Sequence, residues 1–229
     1  MKIYNCGLSI EPGKYKYKCE NFDKLVEKFK PDKVTPYTVE FTDSDIELAD
    51  AVCYQEDKKL DLVVIDLEKI EVRLSRTESQ EEKAALTKCQ NLLESEKLLY
   101  DADFSSQEAD FIKTLQLVSY KPCLAKSVAG DINDLIRQAI LKAEIVLFFT
   151  AGKKEVRAWN IKSGDNILEA AGKIHSDLKR GFIKGEVVNC KELDNFFNMA
   201  EARSRGFVKI VDRDYVMQPD DIIEIRFNV

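Results

Sequence analysis

The chain has 229 residues, an apolar content of 45% and a net charge of -6, values that are ordinary for a globular protein of one large or two small domains. The charge is uneven, because residues 146–229 hold 14 Lys and Arg against 13 Asp and Glu, whereas residues 1–145 hold 21 against 28. An acidic first part excludes broad contact with a phosphate backbone, and the second part would bind RNA only through a local basic patch.

No apolar run approaches the ~20 residues of a bilayer span, and the first residues are too polar for a signal peptide. Six cysteines are scattered without a Cys-x-x-Cys pair, and the single histidine is His175. Neighbouring residues therefore cannot assemble a zinc site of ordinary spacing, and we predict no metal. Unpaired, mostly buried thiols are typical of a reducing compartment, so we expect a cytoplasmic protein without membrane contact.

The first 41 residues predict two strands, a helix and a third strand. Lys2–Leu8 and Lys14–Lys18 alternate polar with apolar residues on either side of a turn. Asn21–Lys30 has helical spacing of its apolar residues and ends before Pro31, and Val34–Phe41 is strand-like.

From Leu62 onward the apolar residues recur every three to four positions, with a polar interruption at Ser75–Lys83. This pattern predicts two amphipathic helices that form a helical hairpin over about residues 62–100. A capping box at Ser105-Ser106-Gln107-Glu108 predicts the start of a third helix. Tyr120–Val128 and Asp131–Lys142 are predicted as a strand and a helix.

The C-terminal part alternates strand and helix patterns, with turn residues between the last strands. The predicted strands are Glu155–Ile161, Phe182–Val188, Val208–Val211, Tyr215–Met217 and Ile222–Phe227, and the predicted helices are Asn166–Lys179 and Lys191–Ser204. This order predicts a small mixed sheet crossed by a helix, within an α/β (α+β) protein.

The most specific pattern lies at residues 148–186. It reads Phe-Phe-Thr-Ala-Gly-Lys-Lys-Glu-Val-Arg-Ala-Trp, then after ten residues Ala-Ala-Gly-Lys-Ile-His-Ser-Asp, and then Arg-Gly-Phe-Ile-Lys-Gly-Glu. The pattern resembles the TGS domain that closes the Obg-like ATPases (the YchF family), which are ribosome-associated P-loop nucleotidases. The resemblance implies a β-grasp TGS domain at residues 146–229 and a nucleotidase-like domain at residues 1–145. It also implies that the helical hairpin is the family's coiled-coil insertion.

The sequence lacks a phosphate-binding loop, which requires Gly, four residues and then Gly-Lys-Ser/Thr. The nearest match, Gly7 with Gly13-Lys14-Tyr15, has one residue too many and no Ser or Thr. By resemblance, Ser9 stands at the Thr of the family's Thr-Ile-Glu-Pro switch segment, and Asp43 stands at the Asp of its Asp-x-x-Gly.

Ile46 occupies the glycine position of that second segment, and a β-branched residue cannot adopt the backbone conformations of glycine. Lys121-Pro122 resembles the entry to the strand that carries the base-reading Asn, but residues 125–129 offer no Asn. We therefore predict a degenerate, truncated P-loop-type domain with no nucleotide cofactor and no catalytic residues.

The predicted function is that of a non-catalytic TGS-domain binding protein that docks on the ribosome, on RNA or on a protein partner. The candidate contact residues, near the aromatic Trp159 and Phe182, are Arg157, Lys173, His175, Arg180 and Lys184. For His175 a structural role at a helix end and general-base chemistry stay open. Two alternatives remain: a residual ATP- or GTP-binding protein or nucleotidase, and a structural or regulatory subunit that pairs through the helical hairpin.

Overall fold

The computed structural model describes residues 1–127 and 130–228 and shows a mixed α/β protein with two sheets. Contacts divide the chain into two compact units, Met1–Tyr15 with Val39–Ala143 and Lys16–Thr38 with Glu144–Val229. The segment Lys16–Thr38 therefore packs in the same unit as the C-terminal residues. The predicted boundary at residue 145 placed this segment in the first domain. In the described part of the chain, no helix is long and apolar enough to cross a membrane.

The strands are β1 (Lys2–Cys6), β2 (Gly13–Lys16), β3 (Lys33–Thr35), β4 (Thr38–Thr42), β5 (Ala51–Gln55), β6 (Cys123–Lys126), β7 (Ile145–Ala151), β8 (Glu155–Lys162), β9 (Phe182–Asn189), β10 (Lys209–Val211) and β11 (Asp221–Phe227). The helices are α1 (Glu20–Phe29), α2 (Lys59–Leu74), α3 (Gln80–Glu94), α4 (Ser106–Thr114), α5 (Ile132–Lys142), α6 (Ile167–Ile174), α7 (Ser176–Arg180) and α8 (Met199–Ser204).

The first unit is built on a five-stranded sheet of order β2-β4-β1-β5-β6. Strands β4, β1, β5 and β6 run parallel, in a register that places Ile3 opposite both Phe41 and Ala51. Parallel neighbours require long crossover connections, and the crossover from β5 to β6 contains α2, α3 and α4.

Helices α2 and α3 form the predicted hairpin, and both bury apolar side chains, including Leu62, Ile70, Leu86 and Leu93, in a core shared with β5. The Ser79 hydroxyl accepts a hydrogen bond from the Glu82 N–H and so begins α3. The two predicted helices are thus confirmed, and a coiled coil stays a prediction.

The second unit is built on a six-stranded sheet of order β10-β9-β11-β7-β8-β3. Strand β9 is antiparallel to β10 and β11, β7 is antiparallel to β8, and the β11–β7 and β3–β8 pairs are parallel. Helix α6 lies close to β9, because a Cβ added at Gly185 would stand 2.2 Å from Ile167 Cδ1. A glycine is therefore needed where helix and sheet approach.

One strand was missed, and two predicted elements were wrong because the structure divides each of them in two. Strand β7 was not predicted, although it lies between β11 and β8. The predicted strand Val34–Phe41 is two strands of different sheets, β3 and β4, separated by Pro36, which has no N–H for a ladder. The predicted helix Asn166–Lys179 is two helices, α6 and α7, because His175 has an extended backbone.

Two further differences lie near the C-terminus. The predicted helix Lys191–Ser204 is a 3₁₀ helix, Cys190–Asn195, followed by α8. The predicted strand Tyr215–Met217 is a single bridge between Val216 and Asn166. The end of the predicted strand Tyr120–Val128 lies outside the described residues.

Candidate functional site

The carboxyl ends of β4, β1, β5 and β6 meet at one edge of the first sheet, where open α/β sheets usually bind ligands. The turn after β1 is closed there by the buried side chain of Asn5. Its amide group donates to the carbonyls of Leu8 at 2.8 Å and Ile10 at 3.0 Å, and its oxygen accepts from the Leu8 N–H at 3.1 Å. A loop N–H that could otherwise point at a phosphate is therefore engaged inside the protein.

Gly7, at the start of this turn, has a φ of 87°, a left-handed conformation that favours glycine. A Cβ at this position would also stand 2.8 Å from Lys58 Cγ. The turn is therefore narrow and packed against the residues that follow β5. Asn5 was missed by sequence reasoning, although Asn just before a glycine turn is a known signal for side-chain-to-backbone bonding.

The residues predicted as degenerate nucleotide positions differ in their exposure. Ser9 and Asp43 are exposed, whereas Ile46 is half-buried and begins a 3₁₀ helix. The Lys121 ammonium group donates to the carbonyls of Ile46 at 2.9 Å and Ala49 at 2.7 Å, and so holds the end of that helix. Lys121 therefore has a structural contact in addition to its position before β6.

Charged side chains of both signs lie near this edge, and Lys58 pairs with Asp61 at 3.4 Å. Burial raises the pKa of the Cys6 thiol, and the carboxylates of Asp61 and Asp57 raise it further, against the effect of Lys58. Burial also raises the pKa of Tyr4, with smaller contributions from Cys6 and Asp43.

The predicted contact residues of the second unit lie on two strands and one helix pair. Lys173, His175 and Arg180 belong to the exposed side of α6 and α7, whereas Arg157 lies on β8 and Lys184 on β9. Strands β8 and β9 are separated in the sheet by β7 and β11. The structure thus groups three of the five residues along one helical segment.

Several of these cations already have local partners. The Arg157 guanidinium lies 3.8 Å from the centre of the Trp159 ring, and that indole donates to Thr150 Oγ1 at 3.0 Å. Arg180 pairs with Asp177 at 3.0 Å. Phe182 is buried in the core, so of the two aromatic candidates only Trp159 is partly accessible.

His175 stands at the joint between α6 and α7. Its backbone N–H donates to the Ala171 carbonyl at 3.0 Å and so ends α6. Its imidazole Nδ1 accepts from the Asp177 backbone N–H at 3.1 Å and so caps α7. The side chain is otherwise 63% exposed. The imidazole therefore has a capping contact and a surface that a partner could reach.

No group of three or more His, Cys, Asp or Glu residues within residues 1–127 and 130–228 is arranged to hold a metal ion. Of the six cysteines, Cys6 and Cys19 are half-buried and the others are buried, and no disulfide joins them. Burial raises the pKa of Cys53 and Cys123 to about 12. The buried thiols are therefore poor nucleophiles.

Comparison with known proteins finds one family model and several similar proteins. Residues 145–228 match the family model YchF-GTPase_C, described as a protein of unknown function (DUF933). Over 98% of its length the chain is similar to the ribosome-binding ATPase YchF of Bacillus subtilis (strain 168), with 25% identity and 91% of that protein covered. The chain is thus similar to YchF proteins, and the family model matches its C-terminal part.

Further YchF-family proteins match a shorter stretch. The ribosome-binding ATPase YchF of Mycoplasma genitalium is 38% identical over 104 residues, 45% of this chain and 28% of that protein. Obg-like ATPase 1 of Oryza sativa is 34% identical over 109 residues, 48% of this chain and 28% of that protein. In these cases the chain spans about a quarter of the relative's length.

The fold is similar to that of a solved structure. The structure of the Schizosaccharomyces pombe YchF GTPase superposes with a TM-score of 0.80 over 95% of this chain and 88% of that chain, at 18% identity. The alignment with the Bacillus subtilis relative extends over 332 positions, 103 more than the 229 residues of this chain. This chain and the Schizosaccharomyces pombe protein thus share a fold. The alignment with the Bacillus subtilis protein contains gaps in this chain.

Proposed function

We propose that this YchF-family chain is a ribosome-associated binding protein that does not hydrolyse ATP or GTP. The observation that carries the proposal is the turn after β1, where Asn5 takes up the Leu8 N–H and two carbonyls at the edge at which a nucleotidase would hold its phosphates. The relatives are named ribosome-binding ATPases, which supports the ribosome as the partner.

The proposed absence of nucleotide chemistry rests on two features of the sequence. No Gly-Lys pair is followed by Ser or Thr, and Ile46 stands where the resemblance places the switch glycine. Without a backbone cradle and a Mg²⁺ ligand, a polyphosphate has little to replace its hydration. We therefore infer that residues 1–145 are a truncated P-loop-type domain and residues 146–229 a β-grasp domain, in a cytoplasmic protein.

Contact with ribosomal RNA would use the basic residues of the second unit. The pairs Arg180–Asp177 and Lys184–Asp212 are solvent-exposed, and exposed ion pairs contribute only about 0–1 kcal/mol. Both cations can therefore exchange a carboxylate for a phosphate at small cost. Lys173 and His175 lie on the same helical segment as Arg180 and extend the surface.

Two measurements test the two halves of the proposal. Calorimetry with ATP or GTP and Mg²⁺ should detect no binding, and a micromolar dissociation constant would instead favour a residual nucleotidase. Co-sedimentation with ribosomes at two salt concentrations should show binding that weakens as salt rises.

Charge-reversing variants locate the surface. Arg180→Glu with Lys184→Glu should weaken co-sedimentation and flatten its salt dependence, since phosphate contacts carry the electrostatic share of binding. A matched control is Lys97→Glu with Lys113→Glu, which makes the same charge change at exposed residues of the first unit. Equal loss in both double variants would mean that net charge, not this surface, decides binding.

A further inference from the structure

A cleft of the first unit lies at the carboxyl end of β5. Its volume is about 540 Å³, and its lining comes from the end of β5, the start of α2, the second half of α3 and the segment that follows α3. Open α/β sheets commonly bind ligands beyond the carboxyl ends of their strands. The cleft therefore lies at a place where this kind of sheet can hold a small molecule.

The Tyr54 hydroxyl is a polar group of this cleft without a partner. Only 5% of Tyr54 is exposed, and its ring packs in the core that α2 and α3 share with β5. The hydroxyl has no hydrogen bond with any described residue, yet protein atoms do not enclose it. It therefore faces the cleft that Tyr54 lines.

This hydroxyl can bond to a ligand in either direction. Burial raises the pKa of Tyr54 to about 12, so the group stays protonated at neutral pH and can donate as well as accept. A largely buried polar group without a partner is costly, and a polar atom of a ligand would relieve that cost.

Apolar side chains form another part of the lining. Leu98 is buried, and Leu92 and Ala102 are half-buried. A ligand with an apolar body would remove these surfaces from water.

Two charged groups of the lining are neutralised by their neighbours. The Lys88 ammonium donates to both carboxylate oxygens of Glu108, at 3.0 and 3.1 Å. Asp101 pairs with Lys142 at 2.7 Å. Neither group is therefore available to a ligand without breaking an existing pair.

Four other charged side chains of the lining remain available, and their signs are balanced. Among the described residues, no ion pair or side-chain hydrogen bond involves Lys59, Lys97, Glu96 or Asp103. Two cations and two carboxylates favour neither a purely anionic nor a purely cationic ligand. A ligand with one charge of each sign would meet both.

We propose that this cleft binds a small zwitterion with an apolar body, which is the chemistry of an apolar α-amino acid. The two available lysines would meet its carboxylate, and the two available acids would meet its ammonium group. The Tyr54 hydroxyl would donate to the ligand carboxylate, and the apolar side chain would pack against Leu92 and Leu98. This site goes beyond the ribosomal contact proposed above and does not depend on it, because its residues belong to the other unit.

The probe is L-phenylalanine, titrated against the full chain and followed by saturation-transfer NMR of the ligand. Its dissociation constant should be about 1 mM or below. L-phenylalaninol lacks the carboxylate and 3-phenylpropionate lacks the ammonium group, and each should bind at least ~10-fold more weakly. Equal binding of the three compounds, or no binding of L-phenylalanine at about 10 mM, would overturn the proposal.

Variants assign each charge of the ligand to its side of the cleft. Lys59→Met with Lys97→Met should weaken L-phenylalanine to the level of L-phenylalaninol and leave L-phenylalaninol unchanged. Glu96→Gln with Asp103→Asn should weaken it to the level of 3-phenylpropionate and leave that compound unchanged. Tyr54→Phe should weaken L-phenylalanine about 3- to 10-fold. It should not lower the urea midpoint of the ligand-free protein, because the hydroxyl has no protein partner to lose.

Matched controls lie elsewhere in the first unit. They are Lys113→Met and Asp110→Asn, an exposed pair on α4, and Tyr15→Phe, which removes a hydroxyl bonded to the Glu11 carbonyl at 2.8 Å. All three should bind L-phenylalanine as the parent protein does, and circular dichroism should show every variant folded. Full binding by Tyr54→Phe, or a clear loss of its stability without ligand, would overturn the proposal. Displacement of L-phenylalanine by ATP would overturn it as well, because the cleft would then serve a nucleotide.

Discussion

The buried carboxylate of Asp66 fastens helix α2 to the residues that precede β6. It accepts hydrogen bonds from the N–H groups of Val118 and Ser119, both at 2.7 Å, and from the Ser119 hydroxyl. All three residues are inaccessible to solvent. Replacing Asp66 with Ala should therefore destabilise the first unit strongly.

The size of the effect follows from the donors that lose their acceptor. A buried donor without a partner costs about 1–3 kcal/mol, so the two N–H groups together predict a loss of about 2–6 kcal/mol. The Ser119 hydroxyl can turn toward another acceptor and adds less. Burial raises the pKa of Asp66, which shows that its carboxylate bears a desolvation cost, and removing the carboxylate relieves that cost. We therefore expect the free energy of unfolding to fall by about 2–4 kcal/mol.

Urea unfolding of the full chain, followed by far-ultraviolet circular dichroism, measures this loss. The matched control is Asp61→Ala, on an exposed site of the same helix, where the pair with Lys58 is 3.4 Å long. Its effect should stay within about 0.5 kcal/mol. Fluorescence of Trp159, the single tryptophan, reports in parallel on the second unit.

A loss below about 1 kcal/mol for Asp66→Ala, with cooperative unfolding retained, would refute the reasoning, since a typical net hydrogen bond is already worth that much. Asp66→Asn adds a second check. Its amide keeps one acceptor oxygen but turns an NH₂ group toward the N–H of Ser119, so it should resemble the Ala variant. Wild-type stability of Asp66→Asn would contradict the assigned bonds.

Three further outcomes are expected. Burial alone would raise the pKa of Glu186, but the bonds from Arg203 and Arg226 outweigh burial and lower that pKa. The resulting stabilisation is present above about pH 4.3 and is lost as pH falls through the lower pKa of the folded state. The loss of stability that Glu186→Gln causes in urea unfolding should therefore become smaller below about pH 4.3. His175→Ala should lower the free energy of unfolding by about 0.5–2 kcal/mol in thermal unfolding, and His175→Asn should restore it. Equal stability of the Ala variant and the parent protein would mean that the cap has no role. Because burial raises the pKa of Cys53 to about 12, mass spectrometry should find it alkylated by iodoacetamide only after unfolding, and rapid native labelling would contradict this.

Local signals in the sequence predicted the helices well. The capping box at Ser105 is confirmed in both of its bonds, from the Ser105 N–H to Glu108 at 2.7 Å and from the Glu108 N–H to the Ser105 hydroxyl at 3.2 Å. Both partners lie within three residues of each other, so no distant contact was needed to find them. The hairpin helices α2 and α3 were found for the same reason, since helical periodicity is local.

One strand and two breaks that depend on distant contacts were not predicted. Strand β7 has buried residues on both faces, so its apolar run Ile145–Phe149 shows no alternation. The apolar spacing of α6 continues into α7, and only the cap at His175 reveals the break between them. Pro36 was a local signal for the split between β3 and β4, but the sheet that each strand joins is set by partners far along the chain.

The candidate site was predicted only as a set of residue types. The sequence identified Arg180 and Lys184 as exposed cations, but their pairing with Asp177 and Asp212 depends on the folded surface. The closure of the turn by Asn5 depends on how the chain folds back after β1, which no spacing rule fixes.

Strand β3 has a consequence for any attempt to transplant the C-terminal domain. The family segment at 145–228 does not contain it, yet Lys33–Thr35 covers the first half of β8 in parallel register. A fragment that starts at Glu144 would leave Glu155–Arg157 as an open strand edge, a surface on which separate chains pair and aggregate. Because residues 39–143 intervene, no single cut keeps this sheet protected. A soluble transplant would need Lys16–Thr38 joined by a linker to the C-terminal residues, because two separate segments of the chain form this sheet.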